Sequence, residues 1–333
     1  MSPAAVGSST ARDGLLAGLG AYLMWGLVPL YWPLLEPAGA LEILAHRMVW
    51  SLAVVGVLTV VDARRRHAGL LGRTGQFGFL YRPGVAVLLT VAAVLVSINW
   101  GVYIWAVNND HVVDASLGYF INPLVSVALG VLVLRERLRR LQWAALAIAT
   151  AGVVELTVTS GTVPLTALVL AGSFGLYGLL KKLADAPAVP ALTFETAVLF
   201  PPAVAFLAVL GASGGGTFAD LGTGHRLLLA STGVVTAVPL VLFGAAAVRI
   251  PLSSLGILQY LTPTMQFLLG VLAFREHLSG ARLLGFVVIW TALALFTVDA
   301  LGRSRSGRSR VSAVPDGQGH RDRVQRVAGR AGR

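Results

Sequence analysis

Two triplets of polar side chains interrupt otherwise apolar stretches: Tyr119, Asn122 and Ser126, and Gln259, Thr262 and Gln266, each spaced i, i+3, i+7. That spacing puts each triplet on one face of a helix. Amides and hydroxyls in such a stripe exchange hydrogen bonds with a solute and do not break bonds in it. Asn99 and Tyr103, at i and i+4, add donors and acceptors, and Trp25, Tyr22, Trp100 and Tyr177 add aromatic surface. Pro123 and Pro263 directly follow Asn122 and Thr262; a proline inside a helix lacks an N–H, so a carbonyl is freed beside each stripe for a solute. Helix-to-helix hydrogen bonding is the competing use of all these groups. A second set is charged: Glu42, His46 and Arg47 at i, i+4 and i+5, and Glu195. Ionisable groups in such surroundings serve proton coupling or gating, or a structural ion pair, here Glu42 or Glu195 with Arg47 or with a basic loop.

Bond-making chemistry finds few residues to carry it. Cysteine is absent, and the six histidines form no HxxxH pair, so neither a thiolate nucleophile nor a metal centre is implied, and no cofactor is called for. Lysine occurs only at Lys181 and Lys182, outside any GxxxxGK[ST] loop, which removes ATP as an energy source. Gly211-Ala212-Ser213-Gly214-Gly215 matches GxSxG, and His225 is the nearest histidine in sequence. The segment reads as a glycine-rich connection and not as a strand-to-helix elbow, so the chain is not expected to be an enzyme.

What must position the stripes follows from composition. Of 333 residues, 56% are hydrophobic and 12% charged, too apolar for an ordinary soluble globule. Apolar windows long enough to cross a membrane as helices fall at about ten places: 14–33, 41–61, 84–107, 112–134, 141–157, 163–181, 190–210, 226–248, 251–274 and 281–299. The chain reads as an all-α polytopic membrane protein. Arginine and lysine crowd the even-numbered exits, at Arg64, Arg65, Arg66, Arg73 and Arg82, at Arg135, Arg137, Arg139 and Arg140, at Lys181 and Lys182, at Arg249, and in the tail. The excess of positive charge on cytoplasmic loops places both termini in the cytoplasm, with the chain in the cell membrane.

The net charge of +11 is concentrated in residues 303–333, which hold nine arginines against Asp316 and Asp322. This Gly/Ser/Arg-rich segment reads as a disordered cytoplasmic tail. It lacks interleaved aromatics for stacking on bases, so nucleic acid is not an expected partner, whereas anionic lipid headgroups are.

A shift of 140 residues without a gap lays Leu129-Gly130-Val131-Leu132 on Leu269-Gly270-Val271-Leu272, Arg135-Glu136 on Arg275-Glu276, Leu138 on Leu278 and Pro123 on Pro263. It also lays Tyr119, Asn122 and Ser126 on Gln259, Thr262 and Gln266. The chain is therefore two copies of one unit: residues 1–13 a short N-terminus, 14–160 the first five-helix repeat, 161–302 the second, and 303–333 the tail. An odd number of spans per copy turns the second copy upside down in the membrane. Two inverted halves can exchange shapes and expose a central site to each side in turn, the pattern of a secondary transporter. A lipid flippase or scramblase is the alternative with the same composition. The small-residue pair Gly14/Gly18 packs helices either within one chain or between two copies in a homodimer.

The residues also resemble a known family. Tyr22-Leu-Met-Trp25-Gly26, Glu42-Ile-Leu-Ala-His46-Arg47, the run from Asn99 to Gly130 with its ASLGYFINPL stretch, Tyr177-Gly178, Glu195-Thr196, and the run from Val238 to Pro263 with its LGILQYLTP stretch are similar to RarD-type permeases of the EamA group within the drug/metabolite transporter superfamily. The resemblance covers nearly all of residues 14–299. It implies an inner-membrane permease of ten helices in two inverted halves that exports or exchanges small metabolites or drug-like solutes. The arginine-rich tail is longer than the family's pattern.

Overall fold

A computed structural model describes residues 3–66, 77–108, 112–160 and 165–272, together with Val287, Trp290 and Thr291. The Arg275-Glu276 pair, most of the tenth expected span, Arg73 and the arginine-rich tail lie outside the described residues. Within them the chain is helical, with no strand. In order the helices are α1 Pro3–Leu27, α2 Ala40–Arg66, α3 Val85–Asn108, α4 Val112–Leu132, α5 Arg140–Ser160, α6 Leu165–Ala184, α7 Ala188–Ala212, α8 Thr223–Arg249, α9 Leu252–Leu258 and α10 Leu261–Leu272.

Six stretches, in α1, α2, α3, α6, α7 and α8, are long and apolar enough to cross a membrane. The shorter apolar stretch Gly118–Leu132 lies within α4. Their outer surfaces explain what surrounds them. Val87, Val91, Val94 and Ile98 follow one face of α3 and all stand exposed, as do Val57, Val60 and Val61 on α2. Such stripes would be unfavourable in water and suit a hydrocarbon surround. The interior carries the polar groups instead, among them Ser51, Asn122, Ser126, Glu195, Thr232 and Thr236.

Two expected spans depart from continuous helices, and proline is involved in both. The first was read as 14–33, but α1 stops at Leu27 and gives way to two 3-10 turns, Val28–Leu30 and Trp32–Leu35, each with a proline at its start. Pro29 and Pro33 cannot donate to the preceding turn, so the α-helical ladder ends there. The ninth span was read as 251–274; it is two pieces, α9 and α10, interrupted at Gln259 and Tyr260 just before Pro263. Its repeat counterpart α4 runs through Pro123 unbroken.

The packing repeats itself when the halves are exchanged. With the 140-residue shift, α3 corresponds to α8 and α4 to α9 plus α10, and in chain order α1 corresponds to α6 and α2 to α7. The extensive pair α1 and α8 then maps on α6 and α3, α4 and α6 on α10 and α1, α2 and α8 on α7 and α3, and α2 and α7 on themselves; every one of these pairs is in contact.

Close crossings hold the pairs together. A Cβ on Gly233 of α8 would collide with the backbone of Trp50 on α2, and the Ser51 hydroxyl donates to the Gly233 carbonyl at 3.4 Å. Gly14 and Gly18 serve the same purpose on α1. A Cβ on Gly14 would meet Arg249 Cβ at 2.6 Å, and one on Gly18 would meet Leu258 at 2.9 Å, so this small-residue face is filled from within the chain. Helix ends are tied by charge: Lys182 Nζ donates to the Ile250 carbonyl at 2.6 Å beyond the end of α8, and Arg82 Nη2 to the Ala184 carbonyl at 2.6 Å at the end of α6. Lys181 and Lys182 stand in the last turn of α6, at the exit expected for this span; Lys181 is buried and Lys182 half-buried.

Candidate functional site

Between the two halves lies a cavity of about 120 Å³. Its walls come from α1, α2, α3 and α4 of the first half and from α6, α8, α10 and the Gln259 break of the second. The two polar stripes meet in it: Tyr119 and Asn122 from α4 face Gln259, Thr262 and Gln266. Tyr119 and Gln259 are repeat equivalents, as are Asn122 and Thr262. Ser126, the third member of its stripe, is not in the lining; its hydroxyl donates to Gln259 Oε1 at 3.0 Å and links α4 to the end of α9.

That contact depends on a close approach. A Cβ on Gly256 would lie 2.9 Å from the Pro123 carbonyl oxygen and 2.9 Å from Ser126 Cβ. Only glycine lets α9 cross α4 at this depth. The Tyr260 hydroxyl donates to the Phe120 carbonyl at 3.4 Å, another contact between repeat-equivalent positions. The carbonyl that Pro263 leaves unbonded, that of Gln259, accepts from the Thr262 amide at 3.1 Å. This bond occupies one of the two lone pairs of that carbonyl.

The remaining expected pathway residues divide by what occupies them. Asn99 lines the cavity, and its amide nitrogen donates to the Leu170 carbonyl at 2.8 Å and to Ser173 Oγ at 3.1 Å. The Thr262 hydroxyl donates to the Tyr22 carbonyl at 3.0 Å. Tyr103 and Tyr119 pack edge to face with ring centroids 5.7 Å apart. One buried polar atom of the lining, the Asn122 carboxamide oxygen, makes no hydrogen bond with the described residues. Burying a polar atom without a partner is costly, so a donor entering the cavity relieves that cost.

A cluster of aromatic rings adjoins the cavity. Trp25 meets Phe174 edge to face at 5.6 Å, Phe174 meets Phe243 at 5.3 Å, and Tyr177 stacks on Phe243 at 5.5 Å. Trp25 and Phe174 line the cavity; Tyr177 does not. Its hydroxyl instead donates to Glu195 Oε2 at 3.3 Å, while Lys181 Nζ reaches Glu195 Oε1 at 2.5 Å. Glu195 is 1% exposed and Lys181 4%. The structural ion pair considered for Glu195 therefore exists, but with a lysine of the neighbouring helix.

Glu42, His46 and Arg47 separate. Glu42 Oε1 accepts from the Thr217 amide at 2.6 Å and the Phe218 amide at 3.3 Å, which fastens the connection between α7 and α8 onto α2. His46 stacks on Phe218 with centroids 4.8 Å apart. Only Arg47 reaches the cavity. The Glu42–Arg47 pair is thus not formed, because the two side chains leave α2 on different faces. Sequence reading also missed Trp32, Val28, Gly118, Leu170, Phe174 and Val235 as lining. Trp32 comes from the proline-broken turn, and the others are apolar or small residues with nothing to mark them among many like them.

Glu136 is a cap: its two carboxylate oxygens accept from the Leu252 amide at 2.7 Å and the Ser253 amide at 2.9 Å, at the start of α9. Ser213 Oγ donates back to the Leu210 carbonyl at 2.9 Å, and His225 Nε2 pairs with Thr217 Oγ1 at 2.9 Å.

Comparison with known proteins places this arrangement. Residues 12–158 match the EamA-like transporter family. Protein RarD of Streptomyces exfoliatus is 55% identical over 304 residues, covering 91% of this chain and 94% of the relative. An uncharacterized transporter of Pseudomonas aeruginosa is 43% identical over 293 residues, covering 88% and 96%. A solved crystal structure superposes with a TM-score of 0.64 at 19% identity over 86% of this chain and 97% of that one, a likeness of fold alone. With helices of membrane-spanning length and relatives of this kind, the chain belongs to the RarD family of EamA-type membrane permeases.

Proposed function

We propose that the protein is a secondary-active transporter that carries small metabolites or drug-like solutes by alternating access, as an exporter or exchanger. The observation that carries this reading is the convergence of the two repeat-related stripes on one cavity: Tyr119 with Gln259, and Asn122 with Thr262. If residues 14–160 and 161–302 form halves of opposite topology, exchanging their conformations moves the opening from one side of the same site to the other. The aromatic cluster of Trp25, Phe174, Tyr177 and Phe243 is then the closed gate of the present conformation. Both termini lie in the cytoplasm of a cell whose inner or plasma membrane holds the chain.

Transport, not catalysis, is the activity, in keeping with relatives named as transporters. Lipid scrambling draws no support from those names. The test is a thermal-shift screen of detergent-purified protein against amino acids, other metabolites and antibiotics, followed by solute exchange in proteoliposomes. A solute that raises the melting temperature of the wild type but not of Asn122→Ala binds the native state at the cavity. Exchange of that solute that survives Asn122→Ala at the wild-type rate contradicts the site.

A further inference from the structure

Arg47 is the one charged side chain in the cavity wall, among the described residues. Its Nε donates to Thr236 Oγ1 at 2.9 Å, and its guanidinium carbon lies 4.2 Å from the Trp100 ring centroid and 5.2 Å from that of Trp32. These contacts hold the plane of the group and offset part of its desolvation. They do not neutralise it. Among the described residues no carboxylate lines the cavity, and Glu42, five residues away on the same helix, is committed to the Thr217 and Phe218 amides. The two terminal nitrogens of Arg47 donate to none of the described residues, so a forked pair of N–H donors borders the space.

We infer that the solute is a monoanion: a carboxylate on an aromatic or other planar apolar body, with the carboxylate held by Arg47. The inference rests on the transporter reading above and names the substrate class of that site. A guanidinium edge matches a carboxylate with two parallel hydrogen bonds, and an uncompensated charge in low dielectric gains most from an ion of opposite sign. One cation and no other charge in the wall balances one negative charge; a dianion such as a phosphate monoester leaves an excess. Trp25, Trp32, Trp100 and Tyr103 supply flat surfaces for the body. The Asn122 carboxamide oxygen, 9% exposed at the residue level and without a hydrogen bond, takes an O–H or N–H donor on that body.

The test uses three probes of one skeleton and three charges: phenylacetate, phenylacetamide and phenethylamine. Binding is measured by calorimetry on the purified full-length chain, wild type and Arg47→Gln. The wild type is expected to bind phenylacetate at least about tenfold more tightly than the amide, the scale of a charge-assisted hydrogen bond, with the amine weakest. In Arg47→Gln that preference falls to within about threefold, and in Arg47→Lys, which keeps the charge, most of it returns. The wild-type ranking stands as a test even if Arg47→Gln fails to fold. Equal or tighter binding of the amide or amine, a carboxylate preference that persists in Arg47→Gln, or no binding of any probe overturns the inference. The transporter reading is judged separately: a neutral or cationic solute whose exchange is lost in Asn122→Ala but kept in Arg47→Gln preserves it while the anion assignment falls.

Discussion

The side chains of the interior divide into those already bonded within the protein and those awaiting a partner. Ser126, Thr262 and the Asn99 amide nitrogen spend their donors on neighbouring helices, whereas the Asn122 carboxamide oxygen accepts from none of the described residues. Asn122→Ala is accordingly expected to abolish solute exchange and leave the melting temperature within about 3 °C of wild type, since it removes an unsatisfied atom and no internal bond; calorimetry and exchange on one preparation check this. The Lys181–Glu195 pair behaves oppositely. Removing one member strands a buried charge, so Glu195→Leu alone is expected to destabilise by about 3–5 kcal/mol, and the double variant Lys181→Met with Glu195→Leu to recover most of that; unfolding of both variants under identical detergent conditions decides it. The polar stripes were legible in sequence because i, i+3, i+7 spacing in an apolar run has few other readings. The partner of Glu195 was not, because Lys181 looked like part of a basic exit, and nothing in one dimension turns it inward. Arg47 was legible as an intramembrane charge, but its separation from Glu42 depends on which face of α2 each leaves.

Among the helices, the break between α9 and α10 is where the two repeats differ. α4 passes Pro123 unbroken, while its counterpart stops at Gln259 and Tyr260, where the Gln259 side chain accepts from the Ser126 hydroxyl. Two features fix this short helix: the Glu136 carboxylate on its first amides, and Gly256 against the Pro123 carbonyl. Glu136→Ala is expected to cost about 0.5–2 kcal/mol, the usual worth of a lost N-terminal cap. Gly256→Val is expected to cost about 1–3 kcal/mol or more, because the crossing cannot widen without displacing Ser126 and Val127. Denaturation midpoints of the two variants measure both. Spans of strong, uninterrupted hydropathy were readable nearly to their ends, as α3 and α4 show against the expected 84–107 and 112–134. The ends of α1 and the break before α10 were not, since Pro29 and Pro33 terminate their α-helix whereas Pro123 bends into one that continues. Tertiary support, absent from the sequence pattern, decides between those outcomes.

For the molecule as a whole, a single ungapped shift pairs α3 with α8 and α4 with α9 and α10, and the helix pairs in contact map on one another when α1–α5 are exchanged with α6–α10. What the shift did not reveal is that equivalent residues meet across one cavity, because a repeat in sequence fixes correspondence and not proximity. The central claim is that this single cavity opens to both sides of the membrane in turn. The chain has no cysteine, so a lone thiol can be placed without background. Val235 lines the cavity on α8 and makes no polar contact that the account needs. In proteoliposomes carrying Val235→Cys, a membrane-impermeant maleimide is supplied outside in one set and trapped inside in the other, with and without a solute found by the thermal-shift screen. Labelling is expected from both sides, with solute shifting the balance between them. Labelling from one side only, unmoved by solute that still binds, would contradict the central claim.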